Sequence, residues 1–295
     1  MQAPTWSAVA KILDGRALAA ELRAELGART SALAERNVRP RLVVALVGED
    51  PSSLAYVRGL EKLGAQIGIA VEIDRLPAAT SEAALRAALE GYGRDVTIHG
   101  VIVQQPLPLP LSMRRIADAV PPAKDVDCAH PLNQARLAFG SGSRFVPATP
   151  RAVMLLLERS EKWPLRGRNA TVIGRSSVVG LPVGMLLLAC DATITMTHSK
   201  TADLRAHAQR AEILVVAAGI PNLIDESYVR PGATVIDVGT TVIGGRLRGD
   251  VDFESASAVA GEITPVPGGV GPLTNVALMR NVVDAADSLS QFKEK

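Results

Sequence analysis

Ala170-Thr171-Val172-Ile173-Gly174-Arg175-Ser176-Ser177-Val178-Val179-Gly180-Leu181-Pro182 is the stretch whose reading decides the fold. Ala170 to Ile173 reads as a buried strand, Gly174 as a turn, and a helix opens near Pro182. A strand that turns on glycine into a helix N-terminus presents free backbone N–H groups and a positive dipole end, a phosphate site. The spacing is G-x-S-x-x-x-G rather than G-x-G-x-x-G, and many α/β chains turn on glycine for packing alone. The next strand, Ala192 to Thr197, ends in His198-Ser199-Lys200. Sites that prefer NAD place an acidic residue there for the ribose 2′-hydroxyl. Here a hydroxyl and a cation, with Arg175 in the preceding turn, suit a 2′-phosphate instead. The pairing of Arg175 with Ser199 predicts NADP.

Working outward, helix and strand alternate along the chain, which implies mostly parallel sheet covered on both faces. Helical periodicity runs from about Gly15 to Arg36, followed by a Val/Leu-rich strand from Arg41 to Val47. A helix from about Ser53 to Ile67, a strand from Val71 to Leu76 and a helix from Ser81 to Glu90 come next, Ser81 serving as N-cap. His99 to Val103 is another strand. Pro121 to Pro147 lacks periodicity and reads as a long functional loop. The rhythm restarts with a helix from Arg151 to Arg159. Later strands at Ile213 to Ala217 and Thr234 to Val238 precede Gly219 and Gly239, and a last helix runs to about Ser290.

Bulk properties exclude several classes. The 295 residues suit two domains of ordinary size. A net charge of +2 gives no strong field for nucleic acid or anionic membrane, and 3% aromatic residues leave little for base stacking. Cys128 and Cys190 form no paired motif, which fits a reducing, cytoplasmic setting. Met1 to Trp6 lacks the features of a signal peptide, and no apolar run approaches the roughly 20 residues that span a bilayer. Histidines 99, 130, 198 and 207 have no ligand spacing, so no metal is expected. Asp250 and Asp252 suggest a cation site only weakly.

Several stretches together resemble one family. Tyr56-Val57, Val103-Gln104-Gln105-Pro106-Leu107-Pro108, Lys124-Asp125-Val126-Asp127, Gly174-Arg175-Ser176, Val235 to Gly239 and Pro265 to Pro272 occur in the order and spacing of the methylenetetrahydrofolate dehydrogenase/methenyltetrahydrofolate cyclohydrolase family. The resemblance implies a two-domain α/β fold with an N-terminal α/β/α folate domain, a Rossmann-like NADP domain and a cleft between them. The folate domain would cover 1–149 plus a returning helix at about 272–295, and the NADP domain 150–271. It further implies a homodimer acting on a one-carbon derivative of tetrahydrofolate. By position, Tyr56 would stack on the folate ring, Gln104 would sit at the reacting centre and Asp127 would hydrogen-bond the pterin. Leu60 and the turn Pro267-Gly268-Gly269 would line the substrate, and Gly174, Arg175, Ser176, Ser199 and Thr240 would bind NADP.

One departure outweighs these matches. The family carries a catalytic lysine four residues after the tyrosine, and here that position is Leu60. Lys62 is rotated about 200° from it on a helix, Arg58 is too basic to act as a base, and Lys124 is a conceivable substitute beside Asp127. Hydride transfer from the methylene bridge moves no proton to a protein base, whereas water addition and ring opening do. The expected activity is NADP-dependent oxidation of 5,10-methylenetetrahydrofolate with weak or absent cyclohydrolase. A fully bifunctional enzyme using another base, or a non-catalytic folate- or nucleotide-binding paralogue, are the alternatives. Further departures are Cys128 in place of glycine, Gln105 in place of leucine, His99 in place of aspartate, and Asn275 where an aliphatic residue is common. Cys128 reads as a packing substitution that could line the cleft.

Overall fold

The computed structural model describes residues 10–140 and 145–291; Met1–Trp6 and part of the expected 121–147 loop lie outside the described residues. In chain order the first elements are β1 (Lys11–Ile12), α1 (Gly15–Glu35), β2 (Arg41–Val47), α2 (Pro51–Ile67), β3 (Ala70–Leu76), α3 (Glu82–Arg94) and β4 (Gly100–Val103). Two short helices follow, α4 (Met113–Ile116) and α5 (Pro131–Ala138), then α6 (Ala148–Leu157), β5 (Asn169–Ile173), α7 (Gly180–Ala189) and β6 (Thr193–Thr197). The remainder is α8 (Leu204–Ala208), β7 (Ile213–Val216), β8 (Thr234–Asp237), β9 (Thr241–Ile243), β10 (Arg246–Arg248), α9 (Phe253–Ser257), β11 (Glu262–Ile263) and α10 (Val270–Gln291). They form two compact units, Ala20–Ala148 with Asn275–Lys295, and Met1–Ala19 with Thr149–Thr274.

The first unit is built on a parallel sheet in the order β3-β2-β4. β2 is central, and six of its seven residues are buried, which is why it reads as an unbroken apolar run. Asp50 caps α2 by accepting from Ser53 N at 2.9 Å, Pro51 supplies a preset first turn, and Gly68 at φ 76 ends the helix. Ser53, Val57, Leu60, Leu63, Gly64 and Ile67 make its buried stripe. Ser81 caps α3 through Ala84 N at 3.2 Å, as the sequence suggests.

The expected structureless loop after Pro121 is corrected: it contains α5. His130 Nδ1 accepts from Leu132 N at 2.9 Å and Pro131 opens the first turn. Only Asn133 and Leu137 of that helix are buried, so its apolar periodicity is too sparse to show in the sequence.

The second unit carries a six-stranded sheet, β1-β11-β8-β7-β5-β6, parallel throughout. From β5 the chain goes first to β6 on one side and then to β7 on the other. β5 therefore lies at the topological switch point, where open α/β sheets receive ligands at the strands' carboxyl ends. An exposed antiparallel hairpin, β9-β10, branches off after β8.

Candidate functional site

Gly174 leaves β5 at φ 122. A Cβ there would lie 2.1 Å from Ala217 O, and one at Gly180 would lie 2.2 Å from Gly174 O. Both glycines are required by close backbone approach, with no side-chain space on either side of the turn. Gly174→Ala should cost about 2–6 kcal/mol from strained backbone plus overpacking; urea denaturation checks it, and a midpoint equal to the parent's refutes it.

α7 opens at Gly180, two residues before Pro182, and its first N–H groups are not all free. Ser176 Oγ accepts from Val179 N at 3.2 Å and Gly180 N at 3.4 Å, and Ser176 O accepts from Leu181 N at 3.0 Å. Ser176 thus closes the helix end, while residues 175–178 of the turn stay exposed. Gly174 N donates to Thr197 O at 2.9 Å, setting the turn beside the end of β6. There His198 N donates to Thr201 Oγ1 at 2.9 Å and His198 Nδ1 accepts from Lys200 N at 3.1 Å. His198 is a turn residue, and it leaves Ser199 and Lys200 exposed after the carboxyl end of β6, as Arg175 is exposed after that of neighbouring β5.

Exposed Thr240 follows the carboxyl end of β8 in the same sheet. Two buried carboxylates fix the backbone beneath it. Asp237 accepts from Gly239 N at 2.9 Å and from Asp250 N and Val251 N at 3.0 Å. Asp250 accepts from Ala218 N at 2.7 Å and Gly219 N at 2.8 Å. Burial pushes Asp237 up to about 6 against the pull of those N–H donors. Asp252 caps α9 through Ser255 N at 3.2 Å. Asp237, Asp250 and Asp252 thus each hold backbone N–H groups; no group of three or more His, Cys, Asp or Glu among the described residues could hold a metal.

Pro267-Gly268-Gly269 also belongs to this unit. Gly269 N donates to Pro265 O at 2.7 Å. A Cβ on Gly15 would lie 1.7 Å from Gly269 O, so the turn is pressed against the start of α1, whose first N–H groups Asp14 caps.

In the other unit, Tyr56 and Leu60 lie one turn apart on α2, and residues four apart share a helix face. Tyr56 is half-buried and Leu60 is 0% exposed. Lys62 and Arg58 are exposed. Gln104 leaves β4 with its Nε2 donating to Gln105 O at 2.6 Å, and Ser53 Oγ donates to the same carbonyl at 3.1 Å. The first turn of α2 is thereby tied to the end of β4.

Lys124 is not a candidate base. Its Nζ donates to the carbonyls of Tyr92, Gly93 and Asp95 at 3.2, 2.8 and 2.6 Å, so the ammonium is spent on capping the C-terminal end of α3. Asp125 accepts from Ala129 N and His130 N at 2.9 Å and from Asn133 Nδ2 at 2.8 Å. Asn281 of α10 donates to Val126 O at 2.7 Å and Val146 O at 2.8 Å. Asn133 and Asn281 had no signal in the sequence, because their partners lie on other elements. Cys128, at φ 56, is buried and packs inside the loop rather than lining a surface. His99 is also buried, its Nδ1 accepting from Arg41 N at 3.2 Å.

The residue this frame presents is Asp127. It is half-buried and accepts no hydrogen bond from any described residue. Burial, with the charge of Asp125, pushes its carboxyl up to about 7. Burial and the charge of Asp127 in turn raise the Tyr56 phenol, so the two are electrostatic neighbours. A carboxyl raised in the fold favours the native state below its unfolded pKa near 3.9, and that advantage disappears as pH rises through about 7. Asp127→Asn should therefore raise Tm at pH 8 relative to the parent and lose most of that gain at pH 5. Equal differences at both pH values would contradict the assignment.

The fold and these two sets of residues define a two-domain α/β protein with a Rossmann-like nucleotide domain and a separate catalytic domain. Residues 147–290 match the NAD(P)-binding domain model of tetrahydrofolate dehydrogenase/cyclohydrolase, and residues 13–127 match its catalytic domain model. The chain belongs to the tetrahydrofolate dehydrogenase/cyclohydrolase family. It is 49% identical to the bifunctional protein FolD of Acidiphilium cryptum over 94% of this chain and 98% of that one. With the protein of the same name from Moorella thermoacetica the identity is 47%, over 94% and 99%. Among solved structures, the bifunctional FolD enzyme of Campylobacter jejuni superposes with a TM-score of 0.92 at 38% identity, covering 94% of this chain and 99% of that one. The dehydrogenase-cyclohydrolase of Trypanosoma brucei, solved with NADP and an inhibitor, gives 0.89 at 36% identity, covering 95% and 98%.

Proposed function

We propose that this chain oxidises 5,10-methylenetetrahydrofolate to 5,10-methenyltetrahydrofolate with NADP, and hydrolyses the product weakly or not at all. The dehydrogenase half follows its relatives and is supported by the glycine-lined turn, with Arg175 and Ser199 after the carboxyl ends of neighbouring strands β5 and β6. Those residues suit NADP: Gly174 and Gly180 let the backbone close up, and no acidic side chain follows β6 to repel a 2′-phosphate. When bound, NADP supplies the nicotinamide that takes the hydride. Tyr56 would stack on the folate ring, Gln104 would align the methylene bridge, and Asp127 would pair with the pterin edge. Pro267, Gly268 and Gly269 would contribute the backbone of a further substrate contact, and Thr240 a nucleotide contact.

The observation that carries the second half is Leu60, fully buried at the position where the family's lysine is expected. Of the nearby amines, Lys62 is exposed and Lys124 is saturated by three carbonyls. Hydrolysis needs water deprotonated as it adds to the methenyl carbon, and then a proton delivered as the ring opens. Without a positioned acid–base group those steps lose about 10²–10⁴-fold. The deciding assay mixes protein, methylenetetrahydrofolate and NADP, then follows NADPH and methenyltetrahydrofolate together. Methenyl product accumulating one-for-one with NADPH is expected. A lag-free conversion onward to the formyl product would overturn the weak-hydrolysis reading.

A second reading has its own support. Asp127, pushed up to about 7, is poised to exchange a proton at neutral pH. A fully bifunctional enzyme with Asp127 as its base would show hydrolysis that titrates with an apparent pKa near that value and vanishes in Asp127→Asn. The family resemblance further supports a homodimer, which sedimentation equilibrium at twice the chain mass of 31.0 kDa checks.

A further inference from the structure

We infer that Asn275 is a substrate-contacting residue of the folate site, its carboxamide supplying a neutral hydrogen-bonding group beside the face of α2 that Leu60 leaves apolar. Asn275 lies in the first half of α10 and belongs to the same compact unit as α2. Its Nδ2 is 3.5 Å from where a Cβ on Gly59 would be, and no other heavy atom comes within 4 Å of that point outside the adjoining backbone. Gly59 is three residues after Tyr56 and one before Leu60, so the carboxamide rests on the turn of α2 that follows the tyrosine.

The carboxamide is half-buried and makes no hydrogen bond with any described residue. A half-buried amide left without protein partners at the cost of desolvation is matched either by water or by a ligand. Tyr56 and Asp127 share this condition: each is half-buried, and neither side chain hydrogen-bonds a described residue. Structural amides in the same unit behave differently. Asn133 and Asn281 both donate to named protein oxygens. Three polar side chains are withheld from internal bonding, and one of them, Asn275, rests on the α2 turn that follows another, Tyr56; such a set suits a polar, partly aromatic ligand.

Chemistry narrows what Asn275 does. A carboxamide donates and accepts without ionising, so it orients a folate or the water next to it and transfers no proton. It is a specificity and positioning group, and its loss should change affinity more than pH dependence. The inference rests on the folate reading above.

The test compares parent, Asn275→Val and Asn275→Asp in three measurements: tetrahydrofolate binding by fluorescence titration, KM for methylenetetrahydrofolate and for NADP, and Tm. Asn275→Val should weaken folate binding and raise the folate KM by roughly 3- to 10-fold, the range for one neutral hydrogen bond. KM for NADP, the pH profile and Tm should stay as in the parent. Asn275→Asp should introduce a pH dependence of folate binding that the parent lacks. Unchanged folate binding and KM in Asn275→Val, or equal losses for folate and NADP, would overturn the inference. If the parent itself neither binds tetrahydrofolate nor oxidises its methylene derivative, the functional reading falls instead.

Discussion

Replacing Leu60 with lysine is expected to raise methenyltetrahydrofolate hydrolysis by about 10²–10⁴-fold, the usual worth of a positioned acid–base group. The site is demanding. Leu60 continues the buried stripe of α2 between Val57 and Leu63, so the introduced side chain must lay its four-carbon stem along apolar surface and bring its amine to the Tyr56 edge. Burial lowers a lysine's pKa by favouring the neutral amine, which suits a base at neutral pH and makes the gain grow with pH before levelling. The folding cost is controlled by Leu60→Met, which keeps volume and polarity and should cost less than about 1.5 kcal/mol. That variant should show no gain in hydrolysis. A folded Leu60→Lys protein that hydrolyses no faster than its parent would overturn the proposal that Leu60 limits hydrolysis. Dehydrogenase turnover is expected to persist in both variants, because hydride transfer needs alignment and not a protein base.

The second large effect concerns the cofactor. Arg175→Ala should raise KM for NADP by roughly 10- to 100-fold, the range for a charge-assisted hydrogen bond of about 1.5–3 kcal/mol. KM for NAD, which lacks the 2′-phosphate, should hardly move. Ser199→Asp should act in the same direction by placing a negative charge where the phosphate would lie, and should improve NAD relative to NADP. Arg175, Ser199 and Lys200 are all exposed, so neither substitution should perturb the core. Equal losses for NAD and NADP in Arg175→Ala would show that Arg175 holds the shared pyrophosphate and not the 2′-phosphate. Raised salt should shrink the preference for NADP, since exposed charge pairs are screened beyond about 10 Å at 0.1 M.

These variants follow from features unequally visible in the chain. β2 declares itself because a central parallel strand is apolar on both faces, and α2 because Asp50, Pro51 and Gly68 mark its ends chemically. The nucleotide turn was legible as a strand, a glycine and a helix. What the sequence could not show was that Ser176 folds back on its own helix and occupies N–H groups that read as free. Lys124 shows the limit more sharply. It looked like a spare amine because the carbonyls that capture it, on Tyr92, Gly93 and Asp95, lie about 30 residues earlier. Long-range backbone acceptors have no residue-type signature. α5 escaped for a related reason: His130 caps it and Asp125 binds the backbone ahead of it, with few apolar residues to mark its face. Leu60 was conspicuous only against the resemblance, since on α2 alone it is an ordinary member of the buried stripe.

The pairing of β1 with β11 has a consequence for how the molecule is made. Lys11 aligns with Glu262 and Ile12 with Ile263, so the last seam of the large sheet joins segments about 250 residues apart. During synthesis the early strand waits unpaired until β11 has emerged. Pairing of such separation is slow to nucleate, because the intervening chain must be ordered first. A fragment carrying only Thr149–Thr274 would leave β11 as a bare edge, its unpaired N–H and C=O groups open to another copy. Cutting away the first segment would thus trade a sealed sheet for a sticky one, although that segment adds only two residues of strand.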